Sequence, residues 1–286
     1  MQLLIPSMRL PTIKSPINYF GGKSYASRHL IRFLPNGIDE VLSPFLGGAS
    51  FELRMTGRGI RILGYDGFQP LVNFWQVILR DPIALSNWLH ETIIQFRDDK
   101  EGLERFTKDL VIGSDPMDNA HRFLIRANFS YNGNFKNSRF CNYYLDEEDM
   151  PKKKSERAGY PVILNYNRIR DFYNPLLSVG HADFRESMSA HPDTFAYCDP
   201  PYPEAAFAYG DAPEYHEEFP HGALAEILHQ RDTGWMLSYN NCDTVKQLYP
   251  PTKFHYNYLQ WRQSGKSNNY QGDEVLIRPL GQPPSE

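Results

Sequence analysis

The sequence predicts an α/β fold built on a parallel sheet, and two observations carry this prediction. Between Glu40 and Arg80 the order is strand, glycine-rich turn, helix, strand, acidic residue and helix, which is typical of a βαβ unit. From Tyr166 onward, short apolar segments alternate again with helical periodicity. A chain of 286 residues, 41% of them hydrophobic, is long enough for one such domain with a smaller domain inserted in it.

The first βαβ unit has local signals for each element. Ser50 is a suitable N-cap for the first helix, and Gly57 and Gly59 favour its termination. Asp66 follows the second strand and places a carboxylate at its carboxyl end. The predicted elements are a strand at Glu40–Ser43, a helix at Ser50–Arg58, a strand at Arg61–Tyr65 and a helix at Gln69–Arg80.

The pattern changes between residues 81 and 165, where helical periodicity predominates. The predicted helices there are Pro82–Phe96, Gly102–Leu110 and Asn119–Ala127. An aromatic and asparagine-rich loop, an acidic patch and a run of three lysines follow at 128–144, 146–149 and 152–154. We therefore predict a mostly helical insertion at 81–165, within an α/β domain formed by residues 1–80 and 166–286.

After the insertion the α/β pattern returns. Thr194–Cys198 is short, apolar and rich in β-formers, which predicts a buried strand. The other predicted elements are a helix at Tyr166–Leu177, a strand at Ser178–Ala182, a helix at His221–His229, and strands at Trp235–Ser238, Phe254–Trp261 and Glu274–Ile277.

Composition excludes several classes of protein. The three cysteines, Cys141, Cys198 and Cys242, have no paired spacing, which disfavours a disulfide framework and a zinc site. No apolar run is long enough to cross a bilayer, and no signal-peptide pattern is present, so we expect a cytoplasmic protein. The formal net charge of −4 argues against a protein coated in nucleic acid, although binding depends on where the positive charge lies.

The segment Asp199-Pro-Pro-Tyr202 follows the predicted buried strand directly. The two prolines stiffen the backbone, and they leave carbonyls that no neighbouring amide needs. Ligands bind at the carboxyl ends of strands in open α/β sheets. Asp199 and the Pro200 carbonyl could both accept from one amino group, and Tyr202 could stack on a flat ring, which suits the exocyclic amine of a nucleobase. An ordinary turn explains the segment equally well when it is taken alone.

Two glycine-containing turns indicate a second ligand. Gly47 and Gly48 lie between a strand and a helix, where a ligand can approach the backbone and the helix N-terminus closely. Asp66, at the end of the next strand, is suited to bind ribose hydroxyls. Upstream, Gly21 and Gly22 precede Lys23, but the spacing does not fit a phosphate-binding P-loop.

Taken in order, these segments resemble the Dam-type DNA adenine-N6 methyltransferases, which form the alpha group of the D12 class. The matching segments are Asn18–Lys23, Ser43–Leu53, Ile62–Ile78, Asn128–Gly133 and Tyr197–Tyr202. The resemblance covers most of the chain and implies a Rossmann-like methyltransferase sheet, a helical target-recognition domain at 81–165, and a bacterial or phage origin. One departure is Ala49, which stands where the family's Phe-x-Gly-x-Gly motif has its second glycine.

The resemblance also implies roles for individual residues. Tyr19 and Lys23 would contact the methionine half of S-adenosylmethionine, with Lys23 near its carboxylate. Phe45, Gly47 and Gly48 would line the cofactor turn. The other implied cofactor contacts are Asp66 at the ribose, Asp183 or Phe184 at the adenine, and Asp199. Asp199 and Pro200 would orient the target N6 amine and Tyr202 would hold the flipped base, for direct in-line methyl transfer that yields S-adenosylhomocysteine without a metal.

The partner implied is double-stranded DNA, and the insertion carries a basic run in an acidic protein. A lid is expected at Pro203–Pro220, where an acidic, tyrosine-containing segment follows the catalytic motif. The candidate DNA contacts are Arg122, Arg126, Asn128, Tyr131, Asn132, Asn134, Lys136, Asn137, Arg139, Arg262 and Lys266.

Three other activities stay open at this point. An RNA adenine-N6 methyltransferase would use the same pocket. A catalytically impaired DNA-binding homologue would keep the fold without the chemistry. Methylation at cytosine N4 is less favoured, because those enzymes more often have serine at the position of Asp199. The sequence does not show the recognition site, the oligomeric state, or whether the enzyme belongs to a restriction-modification pair.

Overall fold

A computed structural model provides the fold. It describes residues 13–17, 19, 21–24, 26–96, 99–108, 115–129, 143–145, 151–154, 161–163, 166–203, 219–259 and 274–281. The strands are β1 (Glu40–Ser43), β2 (Arg61–Asp66), β3 (Tyr143–Leu145), β4 (Pro151–Lys154), β5 (Pro161–Ile163), β6 (Leu177–His181), β7 (Ala196–Cys198), β8 (Trp235–Asn240), β9 (Phe254–Leu259) and β10 (Glu274–Pro279).

The helices flank these strands. They are α1 (Ser27–Leu30), α2 (Glu52–Thr56), α3 (Gln69–Arg80), α4 (Pro82–Gln95), α5 (Lys100–Lys108), α6 (Pro116–Phe129), α7 (Tyr166–Arg170), α8 (Phe184–Ala190), α9 (His221–Gln230) and α10 (Asp243–Leu248). A short 3-10 turn at Ile31–Phe33 follows α1. No helix in the described ranges is both long and apolar enough to span a membrane.

A seven-stranded sheet forms the centre, in the order β6-β2-β1-β7-β8-β10-β9. The first five strands in this order are mutually parallel, whereas β10 runs antiparallel to both β8 and β9. This arrangement confirms the predicted α/β class. It also brings the carboxyl ends of five strands to one edge of the sheet, where ligands bind in folds of this type.

Successive side chains of the central strands point to opposite faces of the sheet, so the hydrophobic core has one part on each face. Val41, Tyr197 and Met236 belong to one hydrophobic cluster, which helices α2, α3, α4 and α6 also supply. Their sequence neighbours Leu42 and Leu237 belong to a second cluster, which is covered by α8, α9 and α10. Strands buried on both faces are continuously apolar, which is why β1, β7, β8 and β10 could be recognised in the sequence.

The helices of the insertion pack onto the sheet domain. Helix α6 lies against α3. The buried ring of Phe123 on α6 lies 5.7 Å from the Phe74 ring, 6.1 Å from the Phe68 ring and 6.4 Å from the Tyr19 ring, centroid to centroid. Helices α4, α5 and α6 therefore share one hydrophobic core with the seven-stranded sheet.

The later part of the insertion contains a feature that the sequence did not predict. Strands β3, β4 and β5 form a separate antiparallel sheet in that order. The lysine run at 152–154, taken as a basic stretch without structure, lies on the central strand β4. The insertion is thus helical only in its first part.

The predicted helix over Tyr166–Leu177 is wrong in its second half. Helix α7 ends at Arg170, and β6 begins at Leu177. Pro175 lies between them, and proline disfavours helical backbone at itself and at the preceding residue. Two short helices, α8 and α10, were not predicted from the sequence.

Candidate active site

The candidate site lies at the edge of the seven-stranded sheet that is formed by the carboxyl ends of the parallel strands. Asp66 ends β2, and Asp199 directly follows β7; these two strands flank β1. Strand β10 is antiparallel, so it contributes its first residue to the same edge, where Glu274 pairs with Asn240 at the end of β8. Three carboxylates from separate parts of the chain are thereby gathered at one edge.

The turn after β1 adopts the tight geometry that its glycines predict. Gly47 has a φ of 49°, and Ala49 has a φ of 51°, so both occupy the left-handed region. A side chain at Gly48 would place its Cβ 2.9 Å from the Cβ of Tyr19. The turn is held by the backbone, because Leu46 N–H donates to the Tyr65 carbonyl at 2.8 Å. Ala49 adopts the conformation expected of a glycine despite its Cβ.

Asp66 is fixed by the backbone around it. Its Oδ2 accepts from Gly47 N–H and its Oδ1 from Phe68 N–H, both at 2.9 Å. Burial raises the pKa of Asp66, while these donors and the nearby His181 oppose the rise. Each carboxylate oxygen keeps a second lone pair. The carboxylate can therefore accept from further hydroxyl groups without releasing the turn.

Asp199 is held by side chains instead. Lys23 Nζ lies 2.9 Å from Asp199 Oδ1, and the Tyr202 hydroxyl donates to the same oxygen at 3.4 Å. Burial raises the pKa of Asp199, and the charge and hydrogen bond of Lys23 oppose that rise. Lys23 is 8% exposed, so the pair is largely withdrawn from water. The sequence placed Lys23 beside the cofactor carboxylate, a position that stays a prediction; the described contact is with Asp199.

Tyr202 lies on an aromatic support. Its ring is 5.8 Å from the Tyr239 ring in an edge-to-face arrangement. The Tyr239 hydroxyl is 2.7 Å from Nδ1 of His221, at the start of α9. Lys23 Nζ lies 5.0 Å from the centroid of the Tyr202 ring. These contacts fix the ring next to Asp199, as stacking on a flat ligand requires.

Two buried glutamates lie at this site, and neither is assigned to it by the sequence. Glu274 is 8% exposed, and its Oε1 lies 3.5 Å from Lys23 Nζ. Glu52, in the first turn of α2, is 3% exposed and accepts from Ser43 Oγ at 2.8 Å. Burial raises the pKa of Glu52 to about 7, although the hydrogen bond from Ser43 opposes this rise. The negative charge of Asp199 adds to the rise. In the sequence Glu274 belongs to Asp273–Ile277, a segment that resembles a closing strand of the family, and Glu52 belongs to the first predicted helix. Only their three-dimensional placement brings both to the site.

The aromatic residues predicted near the cofactor form one cluster. Phe45 stacks on Phe184 at 5.6 Å, and Phe219 contacts both rings at 5.6 and 5.4 Å. Phe184 is buried, whereas Asp183 caps α8 by accepting from Arg185 N–H at 2.8 Å and also pairs with the Arg185 guanidinium at 3.2 Å. The cluster lies between the glycine-rich turn and α8, which keeps Asp183 and Phe184 as candidates for adenine contact.

Three predicted DNA contacts on α6 have structural partners within the insertion. The Arg122 guanidinium pairs with Asp118 at 2.8 Å, lies 4.3 Å from the Phe106 ring and donates to the Phe106 carbonyl. Arg126 and Asn128 are buried, and Asn128 Nδ2 donates to the Leu124 carbonyl at 3.0 Å. Phosphate contact by Arg122 and Arg126 stays a prediction; in the structure Arg122 connects α6 to α5 through Phe106, and Arg126 is buried.

The remaining DNA-contact candidates lie outside the described residues, as does most of the expected lid. They are Tyr131, Asn132, Asn134, Lys136, Asn137, Arg139, Arg262 and Lys266, and the corresponding part of the lid is 204–218. Their roles stay predictions.

The described residues fit an adenosine-containing cofactor at Asp66. Apart from the two chain neighbours of Gly67, no described atom lies within 4 Å of where a Cβ on this residue would stand, so there is open space at the residue that follows Asp66. Spare lone pairs on Asp66 face an edge with aromatic rings close by. Among the side chains that the structure describes, no group of three or more His, Cys, Asp or Glu is arranged to hold a metal ion.

Comparison with known protein families finds one whose model matches most of the chain. The family model described as D12 class N6 adenine-specific DNA methyltransferase matches residues 19–263. That span contains the glycine-rich turn, the insertion and the Asp-Pro-Pro-Tyr segment, and the resemblance drawn from these motifs is confirmed. Glu274 lies beyond the matched residues. A search of curated proteins finds no match to the chain.

Proposed function

The chain belongs to the D12 class of N6 adenine-specific DNA methyltransferases, and on this premise we propose that it is a sequence-specific enzyme that flips its target adenine out of duplex DNA. Family membership implies DNA as the substrate and S-adenosylmethionine as the methyl donor. The observation that carries the proposal is the Asp199 carboxylate, which Lys23 and Tyr202 hold beside the Pro200 carbonyl at the catalytic edge of the sheet.

The roles of Asp199 and Pro200 follow from the chemistry of adenine. The N6 amine is a weak nucleophile because its lone pair is delocalised into the ring. Two acceptors that bind its two hydrogens favour a geometry in which the lone pair points away from the ring plane. Asp199 and the Pro200 carbonyl would supply these acceptors. Positioning and preorganised charge of this kind lower the barrier without a covalent enzyme intermediate.

Tyr202 would hold the flipped base. Extrahelical placement costs roughly a few kcal/mol of stacking and pairing, which contacts in the pocket must offset. The ring of Tyr202 is supported by Tyr239, so it offers a fixed surface to the adenine. Stacking on an aromatic side chain contributes about 1–3 kcal/mol per base, which is of the size required.

On the other side of β1, the glycine-rich turn and Asp66 would bind the cofactor. When bound, S-adenosylmethionine supplies a methyl group attached to an electron-poor sulfonium. Asp66 would accept from the ribose hydroxyls, and Phe45, Gly47 and Gly48 would shape the turn. Tyr19 packs on Gly48 and would lie at the methionine half, together with Lys23. Asp183 and Phe184 would meet the adenine.

The insertion at 81–165 would serve as the target-recognition domain. Its loop at 131–139 carries the asparagines and basic residues proposed to reach base edges and phosphates, and Arg262 and Lys266 would contact the backbone. Lys152–Lys154 on β4 form a basic strand in the same insertion. Electrostatic binding of this type weakens as salt concentration rises.

The test is methyl transfer to DNA from labelled S-adenosylmethionine, with the modified base identified by sequencing. We expect N6-methyladenine at one sequence context, and we expect Asp199→Ala to lower kcat on the order of 10²- to 10³-fold. Asp243→Asn, an exposed carboxylate on α10, is the matched control and should leave kcat unchanged. Full activity of Asp199→Ala would refute the catalytic assignment, and preferential methylation of competing RNA would refute DNA as the substrate.

A further inference from the structure

A buried glutamate at the start of β10, the strand that runs antiparallel between β8 and β9, lies close to Asp199. Glu274 is the first residue of β10, opposite Asn240. Its carboxylate faces Lys23 Nζ at 3.5 Å and lies within hydrogen-bonding reach of the Tyr202 hydroxyl, whose single proton can be donated to Asp199 or to Glu274. These are the same two groups that contact Asp199. Glu274 and Asp199 thus share both partners.

Oδ1 of Asp199 is already occupied by two donors before a target amine arrives. Lys23 and Tyr202 contact it at 2.9 and 3.4 Å, and neither of these contacts involves Oδ2. A carboxylate oxygen has two lone pairs, and both are engaged by these contacts. At least one of the two donors has to turn away when the amine occupies that oxygen.

The structure contains a second acceptor for these donors. Within the described residues, Glu274 Oε1 makes no hydrogen bond, although Lys23 Nζ is only 3.5 Å away. The ammonium is 2.9 Å from Asp199, so the two distances differ by 0.6 Å. Lys23 Nζ also donates to the Gly21 carbonyl at 3.1 Å, but a buried ammonium without a carboxylate is costly, and a small shift from one carboxylate to the other avoids that cost.

Glu52 is less suited to this role. It also interacts electrostatically with Asp199 and Lys23, but its Oε1 accepts from Ser43 Oγ at 2.8 Å on the other side of the cluster. Its pKa of about 7 also leaves it protonated in a large fraction of molecules at neutral pH. Glu274, which already contacts both donors, is therefore the better acceptor.

We propose that Glu274 is a positioning residue that takes up Lys23 and the Tyr202 hydroxyl when the target amine binds Oδ1 of Asp199. This inference rests on the proposed function and gives a role to a residue that lies beyond the matched span and that the sequence predicts only as the start of a closing strand. In the absence of substrate, Lys23 keeps Asp199 paired. When adenine enters, Lys23 shifts to Glu274, so that the ammonium faces a carboxylate at both stages.

Glu274→Gln tests the proposal because it removes the charge and keeps the shape. Lys23 would then stay on Asp199 and compete with the target amine. We expect kcat for DNA methylation to fall about tenfold, the size of one charged hydrogen bond. The KM values for DNA and for S-adenosylmethionine should stay within about threefold, since the proposal gives Glu274 no contact with either ligand. Glu226→Gln, an exposed carboxylate on α9, is the matched control.

A second measurement does not depend on activity. Thermal unfolding of wild type, Lys23→Met, Glu274→Gln and the double variant gives the coupling between the two side chains. We expect non-additive shifts in Tm, with the double variant less destabilised than the sum of the single variants. Additive shifts would overturn the inference even if the wild-type protein transferred no methyl group, a result that would count separately against the proposed function.

Glu274→Asp serves if the glutamine variant does not fold. It keeps the charge but retracts it by one methylene, so we expect it to retain more kcat than Glu274→Gln, or to lose kcat without a change in KM if it is the only folded variant. Wild-type kcat in the folded Glu274→Gln variant, or equal losses in kcat and cofactor affinity, would also overturn the inference, because the second result indicates general disruption of the site.

Discussion

Asp66 and Asp199 follow the two strands that flank β1, but they are held in different ways. Both Asp66 oxygens accept from backbone N–H groups, those of Gly47 and Phe68. Asp199 is contacted by the side chains of Lys23 and Tyr202. Backbone donors belong to the fold and move only with it, whereas a lysine and a tyrosine can rotate away.

The difference corresponds to what each carboxylate is proposed to do. A cofactor site gains from a rigid acceptor, since rigidity lowers the entropy that is lost on binding. A site that receives a flipped base has to exchange partners during each turnover. The donors at Asp199 are movable, and a second carboxylate, Glu274, lies within their reach. The same residue type therefore provides a fixed contact on one side of β1 and an exchangeable contact on the other.

The largest effect on stability is expected at Glu52, on the Asp199 side. The pKa of Glu52 is raised from 4.5 to about 7 in the folded protein, so the folded protein binds a proton at this carboxylate more tightly than the unfolded chain does. Its contribution to stability is therefore complete below pH 4.5 and is lost as pH rises towards 7. Glu52→Gln should remove this loss and raise the unfolding free energy at pH 8 on the order of 3 kcal/mol.

Denaturant unfolding at several pH values checks this expectation. The variant should match wild type near pH 4 and exceed it at pH 8, and Glu226→Gln should follow wild type throughout. Identical pH dependence in wild type and Glu52→Gln would show that the buried carboxyl does not carry the pH dependence.

A smaller effect is expected at Asp66 and should appear in cofactor binding. Asp66→Asn replaces one carboxylate oxygen with an NH2 group, which cannot accept from the N–H of Gly47 or Phe68. It also removes the negative charge that would strengthen the hydrogen bonds from the ribose hydroxyls. We expect KM for S-adenosylmethionine to rise about tenfold, since a charged hydrogen bond contributes roughly 1.5–3 kcal/mol. Steady-state kinetics should show kcat nearly unchanged. A fall in kcat with an unaltered KM would erase the contrast between Asp66 and Asp199.

The smallest effect concerns the turn that holds Asp66. Gly48→Ala would place a Cβ 2.9 Å from the Cβ of Tyr19, so one of the two has to shift, at a cost of about 1–3 kcal/mol. Gly222→Ala on α9 is the matched control, because no described atom lies within 4 Å of its new Cβ. That control should gain roughly 0.4–1 kcal/mol. Thermal unfolding measures both, and equal Tm shifts would show that Tyr19 does not restrict the turn.

Much of the site could be predicted from the sequence because its main residues follow parallel strands. Parallel strands direct their carboxyl ends to one edge, so Gly47, Asp66 and Asp199 were expected to lie together. Glu274 could not be placed in this way. It begins an antiparallel strand, and only the register with Asn240 brings it to the same edge.

The insertion was the least predictable region. Arg122 and Arg126 have the helical spacing of an exposed face, but Arg126 is buried, and Arg122 lies against Phe106 of α5 and pairs with Asp118. The lysines of β4 lack the alternation that predicts a strand, and their pairing depends on segments before and after them in the chain. In both cases the deciding contacts are made by residues distant in sequence, which local patterns do not reveal.

Phe123 gives the insertion a consequence for engineering. Its ring packs against Phe68, Phe74 and Tyr19. Tyr19 in turn packs against Gly48 of the glycine-rich turn. An exchange of residues 81–165 for the equivalent segment of a relative would therefore remove part of the core under the cofactor turn. A chimera designed to change which site is methylated would have to keep α6 and graft only the segments beyond it.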